Sequence, residues 1–312
     1  MNHIYRIVLN RRLGIWQVVS ELARGGGKTG SDHRQARRRG AGLAATAASR
    51  LTARHGPRML AATLLAACAT SPAMAQTIVG SGDIFPGSPA NWNNAPTMFV
   101  GFTATGSLLF SDGASLINDI GEIANMQGSN GRVTVRDGSR WILKEKLALG
   151  DAGGTGTLNI LNNGRVLVGG AGVVWLASAA LGTGTINIGG LAGSAPSASG
   201  TLAASEILFG AGTGTLNFNT TNTHDFAVSL KSSGSGTSQL NLFAGTTRLS
   251  ADSSGFDGNV RVSGGNLTIL NQLGAAEGRI DNAGVSGTTA TVTVSGNRAV
   301  WANSGNVYVG GT

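Results

Sequence analysis

The 312-residue chain has little cysteine, little charge and few aromatic residues. Its single cysteine, Cys68, excludes a fold held by disulfides and a zinc site built from paired cysteines. Charged residues make up 12% of the chain and aromatic residues 5%, whereas 41% of the residues are apolar. This balance excludes a solvated disordered polymer and provides enough apolar residues for a folded core.

Long hydrophobic runs are also missing. The apolar stretch at residues 59–69 has 11 residues, whereas a helix that crosses a bilayer needs about 20. Arginines precede this stretch, and Ala-Met-Ala follows it at residues 73–75. A basic region, a short apolar region and small residues, in that order, are typical of a secretory signal. They predict cleavage between Ala75 and Gln76.

Cys68 offers an alternative route of processing. Residues 65–68 read Leu-Ala-Ala-Cys, which resembles a bacterial lipobox, whose cysteine is lipidated and becomes the new N-terminus. Pro72 and the Ala-Met-Ala that follows it have no role in that route. Cleavage after Ala75 is therefore preferred, and lipidation of Cys68 is kept as the less favoured alternative.

The positive charge is confined to the N-terminal quarter of the chain. Residues 1–75 hold 12 of the 23 Lys and Arg residues and two of the 15 acids, so their net charge is +10, and residues 76–312 carry −2. Only Tyr5 and Trp16 accompany these charges as aromatic residues, which argues against a nucleic-acid-binding surface. The pI near 10.7 therefore describes a leader and not the body, and no nucleic acid is expected as a partner.

The first residues of this leader carry a recognisable pattern. Residues 1–10 read MNHIYRIVLN, and residues 14–24 read GIWQVVSELAR. Both segments resemble the extended signal peptide region of type V secretion proteins, the autotransporters and two-partner adhesins of Gram-negative bacteria, although Leu9 stands where that family usually has Trp. The resemblance implies an extended signal peptide region at residues 1–28, a basic linker with a Sec signal at residues 29–75, and the Sec machinery as a partner. We expect this leader to be helical or disordered.

After Gln76 one sequence motif, which we call the repeated phrase, recurs along the chain. It places an aliphatic residue, Asn and an apolar residue after glycines, with separations of 28, 30 and 24 residues between copies. A phrase repeated at this period indicates a solenoid. Because strand side chains alternate, the two apolar residues share one face of a short strand and the Asn lies on the other. The copies are residues 154–160, 182–188, 212–218 and, less closely, 236–242.

The same alternation occurs elsewhere in residues 76–312, between Gly- and Asn-rich turns and without a long helical period. These features indicate an all-β fold. We predict a right-handed parallel β-helix of about 8 to 10 coils, in which Asn stacks on Asn at about 4.8 Å per coil. The other alternating pairs are Val133/Val135, Leu147/Leu149, Leu267/Ile269, Val292/Val294 and Val307/Val309.

The repeated phrase also resembles the autotransporter-associated β-strand repeat of passenger domains. That resemblance implies a surface-exposed passenger, in a class dominated by adhesins and self-association factors. It implies as partners an outer-membrane β-barrel translocator and either a host surface or further copies of the protein. Residues 133–150 are echoed by residues 292–310, and the echo predicts that the sequence stops within a repeat, with the translocator outside it.

Few residues suggest chemistry. His224, beside Asp225, is the only histidine after the leader, and neither a Gly-x-Ser-x-Gly motif nor a complete phosphate-binding loop is present. We therefore predict no catalytic residue, no cofactor and no metal ligand. Four tryptophans are expected to pack in the core or in caps and not to bind ligands: Trp92, Trp141, Trp175 and Trp301.

The leading hypothesis is an exported, surface-displayed, non-enzymatic passenger segment of an autotransporter-like adhesin. One alternative is a secreted β-helix hydrolase that acts on polysaccharide or peptide through His224 or paired Asp residues. Another is the product of a truncated, non-functional gene. The expected location is the cell surface or the extracellular space if a translocator is supplied, and otherwise the periplasm.

Overall fold

The computed structural model describes residues 5–10, 15–20, 76–281 and 289–310. The chain forms two units, Met1–Cys68 and Ala69–Thr312. Within the described ranges the only helical element is a 3₁₀ turn at Pro89–Asn91. No helix in those ranges is long and apolar enough to cross a membrane.

The described leader residues form an antiparallel pair of strands, β1 (Tyr5–Asn10) and β2 (Ile15–Ser20). This differs from the helical or disordered leader that we expected. The difference has a local cause, since both segments are rich in β-branched and aromatic residues, which favour strands.

Residues 76–281 and 289–310 form a parallel β-solenoid of about eight turns. Its strands, in chain order, are β3 (Thr77–Gly82), β4 (Ile84–Phe85), β5 (Thr97–Val100), β6 (Thr105–Ser111), β7 (Ser115–Ile123), β8 (Asn130–Val135), β9 (Arg140–Leu149), β10 (Thr155–Ile160), β11 (Arg165–Val168), β12 (Val173–Leu176), β13 (Thr183–Gly189), β14 (Thr201–Ala203), β15 (Glu206–Phe209), β16 (Thr213–Phe226), β17 (Ser229–Ser232), β18 (Thr237–Leu249), β19 (Asn259–Val262), β20 (Gly265–Ile269), β21 (Gln272–Ala275), β22 (Glu277–Ile280), β23 (Ala290–Val294), β24 (Val300–Asn303) and β25 (Val307–Val309).

The strands of successive turns stack into three faces. Face A contains β6, β8, β10, β13, the first halves of β16 and β18, and β19, β22 and β25. Face B contains the first halves of β7 and β9, then β11 and β14, the second halves of β16 and β18, and β20 and β23. Face C contains β5, the second halves of β7 and β9, and β12, β15, β17, β21 and β24.

The repeated phrase lies on face A, in register from coil to coil. Asn159 pairs with Asn187, Asn187 with Asn217, and Asn217 with Asn241. The apolar residues on either side of each Asn stack in the same way, and those of the first three copies are fully buried. The predicted stacking of Asn on Asn and of aliphatic on aliphatic residues is therefore confirmed, as is the parallel solenoid. The inward residues join one continuous core along the solenoid.

The glycines of the phrase lie at the corner between faces C and A. A Cβ atom added at Gly182 would overlap with the carbonyl oxygen of Gly150, and one at Gly156 would overlap with that of Ile123. Only glycine allows neighbouring coils to approach so closely at this corner. The first glycine of each phrase is therefore required by the stacking itself, whereas the second is replaced by Ser238 in the last copy.

The N-terminal end of the solenoid is closed by reversed strands. β3 runs antiparallel to β6, and β4 runs antiparallel to β5, whereas the later pairs within the solenoid strands are parallel. The Asp83 carboxylate accepts hydrogen bonds from the backbone N–H groups of Thr103 and Ala104, at 2.6 and 2.8 Å, and these bonds lower the pKa of Asp83. Among the described strands, β3 is thus the edge strand of this sheet, and it pairs only with β6.

The tryptophans divide into two groups. Trp92 and Trp141 are buried, and their Nε1–H groups donate to the carbonyl oxygen of Pro86 and to Asn118 Oδ1, at 2.7 and 2.9 Å. Packing is therefore confirmed for these two residues. Trp175 is half-buried on the outer side of face C, and Trp301 is half-buried against the core in the last coil.

The predicted echo between residues 133–150 and 292–310 does not mark equivalent positions. Val133 and Val135 lie on face A, whereas Val292 and Val294 lie on face B. The interpretation of this echo as a repeat was wrong. The similarity was misleading because two valines spaced two residues apart fit a strand on any face. Alternation alone therefore does not specify the face.

Candidate functional site

His224 and Asp225 are not brought together as a catalytic pair. They are consecutive residues of β16, so their side chains lie on opposite sides of the strand. His224 is buried between Phe218 and Phe226, with ring centroids 5.9 and 6.1 Å away. Asp225 is exposed and forms an ion pair with Arg248 at 3.2 Å. A triad would need the carboxylate to contact the imidazole, and this geometry does not supply that contact.

The environment of His224 is apolar. Its Nε2 atom is buried and has no hydrogen-bond partner. Burial lowers the pKa of His224, and the neighbouring Asp225 charge offsets part of that effect. A neutral imidazole among aromatic rings contributes to packing and is poorly placed for proton transfer with solvent.

Of the predicted processing residues, the structure describes one. Cys68 and Ala75 lie outside the described residues. Gln76 is exposed and directly precedes β3. Within the described residues, no three His, Cys, Asp or Glu side chains are placed to hold a metal ion.

A groove lies on the outer side of face A, where β18, β19 and β22 run side by side. Its cavity volume is about 320 Å³, within the range of small-molecule clefts. The lining is mostly polar and includes both signs of charge. It consists of Gln239, Asn241, Phe243, Asn259, Val260, Arg261, Glu277 and Arg279.

The groove begins where a ladder of asparagines ends. Asn187 Nδ2 donates to Asn159 Oδ1 at 2.9 Å, Asn217 donates to Asn187 at 2.9 Å, and Asn241 donates to Asn217 at 3.0 Å. These amides lie on the outer positions of their strands, yet the first three are only 4% exposed. Each amide thus satisfies its neighbour in the next coil, and we call this row the asparagine ladder.

The same column continues with arginines. Arg261 is the register partner of Asn241, and Arg279 is the partner of Arg261. Both guanidinium groups contact Asp281, whose side chain is fully buried: Arg261 Nη2 lies 3.4 Å from Asp281 Oδ2, and Arg279 Nε donates to the same oxygen. The arginine side chains are 43% and 42% exposed. A buried carboxylate therefore holds two adjacent cations at the floor of the groove.

Two further features shape this site. Phe243 is an extra residue in the pairing of β18 with β16, because Leu242 pairs with Phe218 while Ala244 pairs with Asn219. Such a bulge re-aims the side chain at that position, and the half-buried Phe243 lines the groove. In addition, the Nε atom of Arg261 is buried and has no hydrogen-bond partner.

Reasoning from the sequence missed this groove, although a signal was present. Residues 260–262 read Val-Arg-Val and residues 278–280 read Gly-Arg-Ile, so arginine stands where the repeated phrase has asparagine. Aligning these triplets with the phrase would have placed both arginines in one column.

Comparisons with known proteins agree with the N-terminal prediction. Residues 1–50 match the family described as Extended Signal Peptide of Type V secretion system. The chain is also similar to an uncharacterized lipoprotein, YdeK, of Escherichia coli (strain K12), with 31% identity over 214 residues. That similarity covers 65% of this chain and 16% of the relative, so the chain spans about a sixth of the relative's length. No solved structure matches the chain.

The resemblance of the leader to type V signal regions is thus confirmed, over a longer segment than residues 1–28. A signal of this type indicates export across the inner membrane. The chain combines the extended signal peptide of type V secretion with a parallel β-solenoid, a combination consistent with an autotransporter.

Proposed function

We propose that this chain is an exported and surface-displayed passenger segment with a structural, adhesin-like and non-enzymatic role. The observation that carries the proposal is the type V signal at residues 1–50 on the same chain as a parallel solenoid. The body supports it, since residues 76–312 contain no cysteine and cannot form a disulfide that blocks passage through a membrane. A repeat fold can also nucleate at one end and propagate as the chain emerges.

The proposal includes partners of three kinds. The leader engages the Sec machinery, and an outer-membrane translocator carries the solenoid to the surface. There the solenoid contacts a host surface or other copies of itself. The hydrolase alternative gains no support from His224 and Asp225, which lie on opposite sides of their strand.

Export is tested by cell fractionation of the full chain and of a variant that lacks residues 2–50, both expressed in the native bacterium. We expect the full chain to leave the cytoplasm with its leader removed, and the variant to be exported less efficiently. Full-length, uncleaved protein that stays in the cytoplasm would refute the proposal.

Two routes of processing are separated by labelling. The relative's printed name, lipoprotein, supports lipidation of Cys68, whereas Ala-Met-Ala before Gln76 supports cleavage after Ala75. We expect a mature protein that begins at Gln76 and takes up no labelled palmitate, with Cys68→Ala as the matched control. Palmitate incorporation that is lost in Cys68→Ala would establish the lipoprotein route instead.

The adhesin role is tested by deleting the gene and measuring both cell aggregation and attachment to host cells. We expect a loss in at least one assay, restored when the full gene is supplied in trans. Unchanged aggregation and attachment, with the wild-type protein shown to be displayed, would exclude this role while leaving export intact.

A further inference from the structure

We propose that the groove on face A binds an acidic oligosaccharide, with sugar carboxylates paired to Arg261 and Arg279. This proposal deepens the proposed adhesin function and rests on it, because display at the cell surface is what brings the groove to such a ligand. The binding itself is a property of the folded chain and can be measured without display.

The two arginines provide the site for the acidic groups. They occupy one column in adjacent coils, which places them about 4.8 Å apart along the solenoid. A guanidinium has five N–H donors, and the contacts to Asp281 use Nη2 of Arg261 and Nε of Arg279. Other donors of both side chains therefore remain, and both residues line the groove.

Asp281 organises the arginines without occupying the groove. Its side chain is fully buried, while both arginines are nearly half exposed. The guanidinium groups are thus fixed before a ligand arrives, which reduces the entropy lost on binding. A carboxylate ligand suits them because guanidinium and carboxylate form paired, charge-assisted hydrogen bonds.

The rest of the lining suits sugar rings. Gln239, Asn241 and Asn259 present amide donors and acceptors, and Glu277 presents a carboxylate that accepts hydrogen bonds from hydroxyl groups. Phe243 adds an apolar surface beside these polar groups. The groove crosses three coils, or about 10 Å, so it fits a short stretch of a linear glycan.

Other ligand classes fit less well. An extended peptide adds to a free sheet edge, but β18, β19 and β22 each have paired strands on both sides. A nucleic acid requires an extended basic surface, whereas residues 76–312 carry a net charge of −2.

The test is a titration of the purified full chain with octagalacturonate, which carries a carboxylate on each ring, and with the neutral maltooctaose. We expect octagalacturonate to bind at least tenfold more tightly and to weaken as salt rises. Arg261→Gln and Arg279→Gln should each weaken binding about tenfold. The matched control is Arg248→Gln, which removes a similarly exposed arginine from face B.

Because either arginine variant disturbs the buried Asp281, Phe243→Ala serves as a second variant that leaves this contact intact. It should weaken binding by a few fold while the circular dichroism spectrum stays unchanged. Equal binding of the two oligosaccharides would overturn the proposal. So would affinities of all three groove variants equal to that of Arg248→Gln, or no binding by the folded protein at millimolar ligand. None of these results bears on whether the protein is exported or displayed.

Discussion

The repeat region (residues 155–242) and the region that supplies the two groove arginines, which we call the groove region (residues 259–281), share one scaffold and differ in one column of face A. Inward residues are buried in both, as Leu240 and Leu242 are in the first and Val260 and Val262 in the second. The outward column changes from asparagines that bond to each other to Arg261 and Arg279. The buried core is therefore common to both regions. The outward column determines whether side chains bond between neighbouring coils, as the asparagines do, or present half-exposed charged groups, as the arginines do.

This contrast also separates the sources of stability. In the ladder, the first three amides are buried and hydrogen-bonded between coils, so removing one of them leaves its neighbours without a partner. In the groove, the arginines converge on one buried acid and remain half exposed. Substitutions in the ladder should cost stability, whereas substitutions of exposed groove residues should cost little.

The largest effect is expected at the corner that both regions share. Gly182→Ala places a Cβ atom on the carbonyl oxygen of Gly150, so neighbouring coils must separate, at a cost of about 3 kcal/mol in the free energy of unfolding. Urea denaturation measures this loss. Gly87→Ala is the control, since a Cβ there makes only an ordinary contact, 3.8 Å from the carbonyl oxygen of Ile84. Equal unfolding midpoints for the two variants would contradict the stacking described here.

A smaller effect is expected within the ladder. Asn187→Ala removes the partner of Asn159 Oδ1 and of Asn217 Nδ2, which should lower the free energy of unfolding by about 2 kcal/mol. In the groove region, Asn259→Ala alters an exposed amide and should change it by less than about 0.5 kcal/mol. If both variants lower the free energy of unfolding equally, the ladder amide contributes no more to stability than an exposed groove amide.

The smallest effect concerns pH and sharpens the contrast, because His224 lies in β16 of the repeat region and is the only histidine after residue 75. Burial lowers the pKa of folded His224, so the unfolded chain binds a proton first as pH falls below about 6.5. Stability is then lost toward acid pH. His224→Leu should reduce that loss, as measured by urea unfolding at pH 8 and pH 5. An identical pH dependence in both proteins would refute this role.

The solenoid could be predicted because the phrase repeats nearly unchanged. When Thr155–Ile160 and Thr183–Gly189 carry the same alternation and the same Asn, only one parallel register stacks like on like. The type V signal could be predicted from its motif, although its strand pair β1–β2 was not. Both inferences used short motifs that can be read directly along the chain.

The groove and the assignment of faces needed the folded structure. Arg261 meets Asp281 only because a coil of 18 residues places β22 beside β19, and the burial of Asp281 depends on packing around it. Coil length also varies, reaching 36 residues between Arg165 and Thr201. Such variation breaks the period, so residues 292–310 resemble residues 133–150 without occupying equivalent positions.

Surface display is the central claim, and an epitope inserted after Gly170 tests it most directly. That residue lies in an exposed turn between β11 and β12, where nothing lies within 4 Å of an added Cβ. In the native bacterium producing the full chain, antibody should bind intact cells, and external protease should remove the signal while a periplasmic marker stays intact. Antibody binding only after the cells are permeabilised would contradict the account.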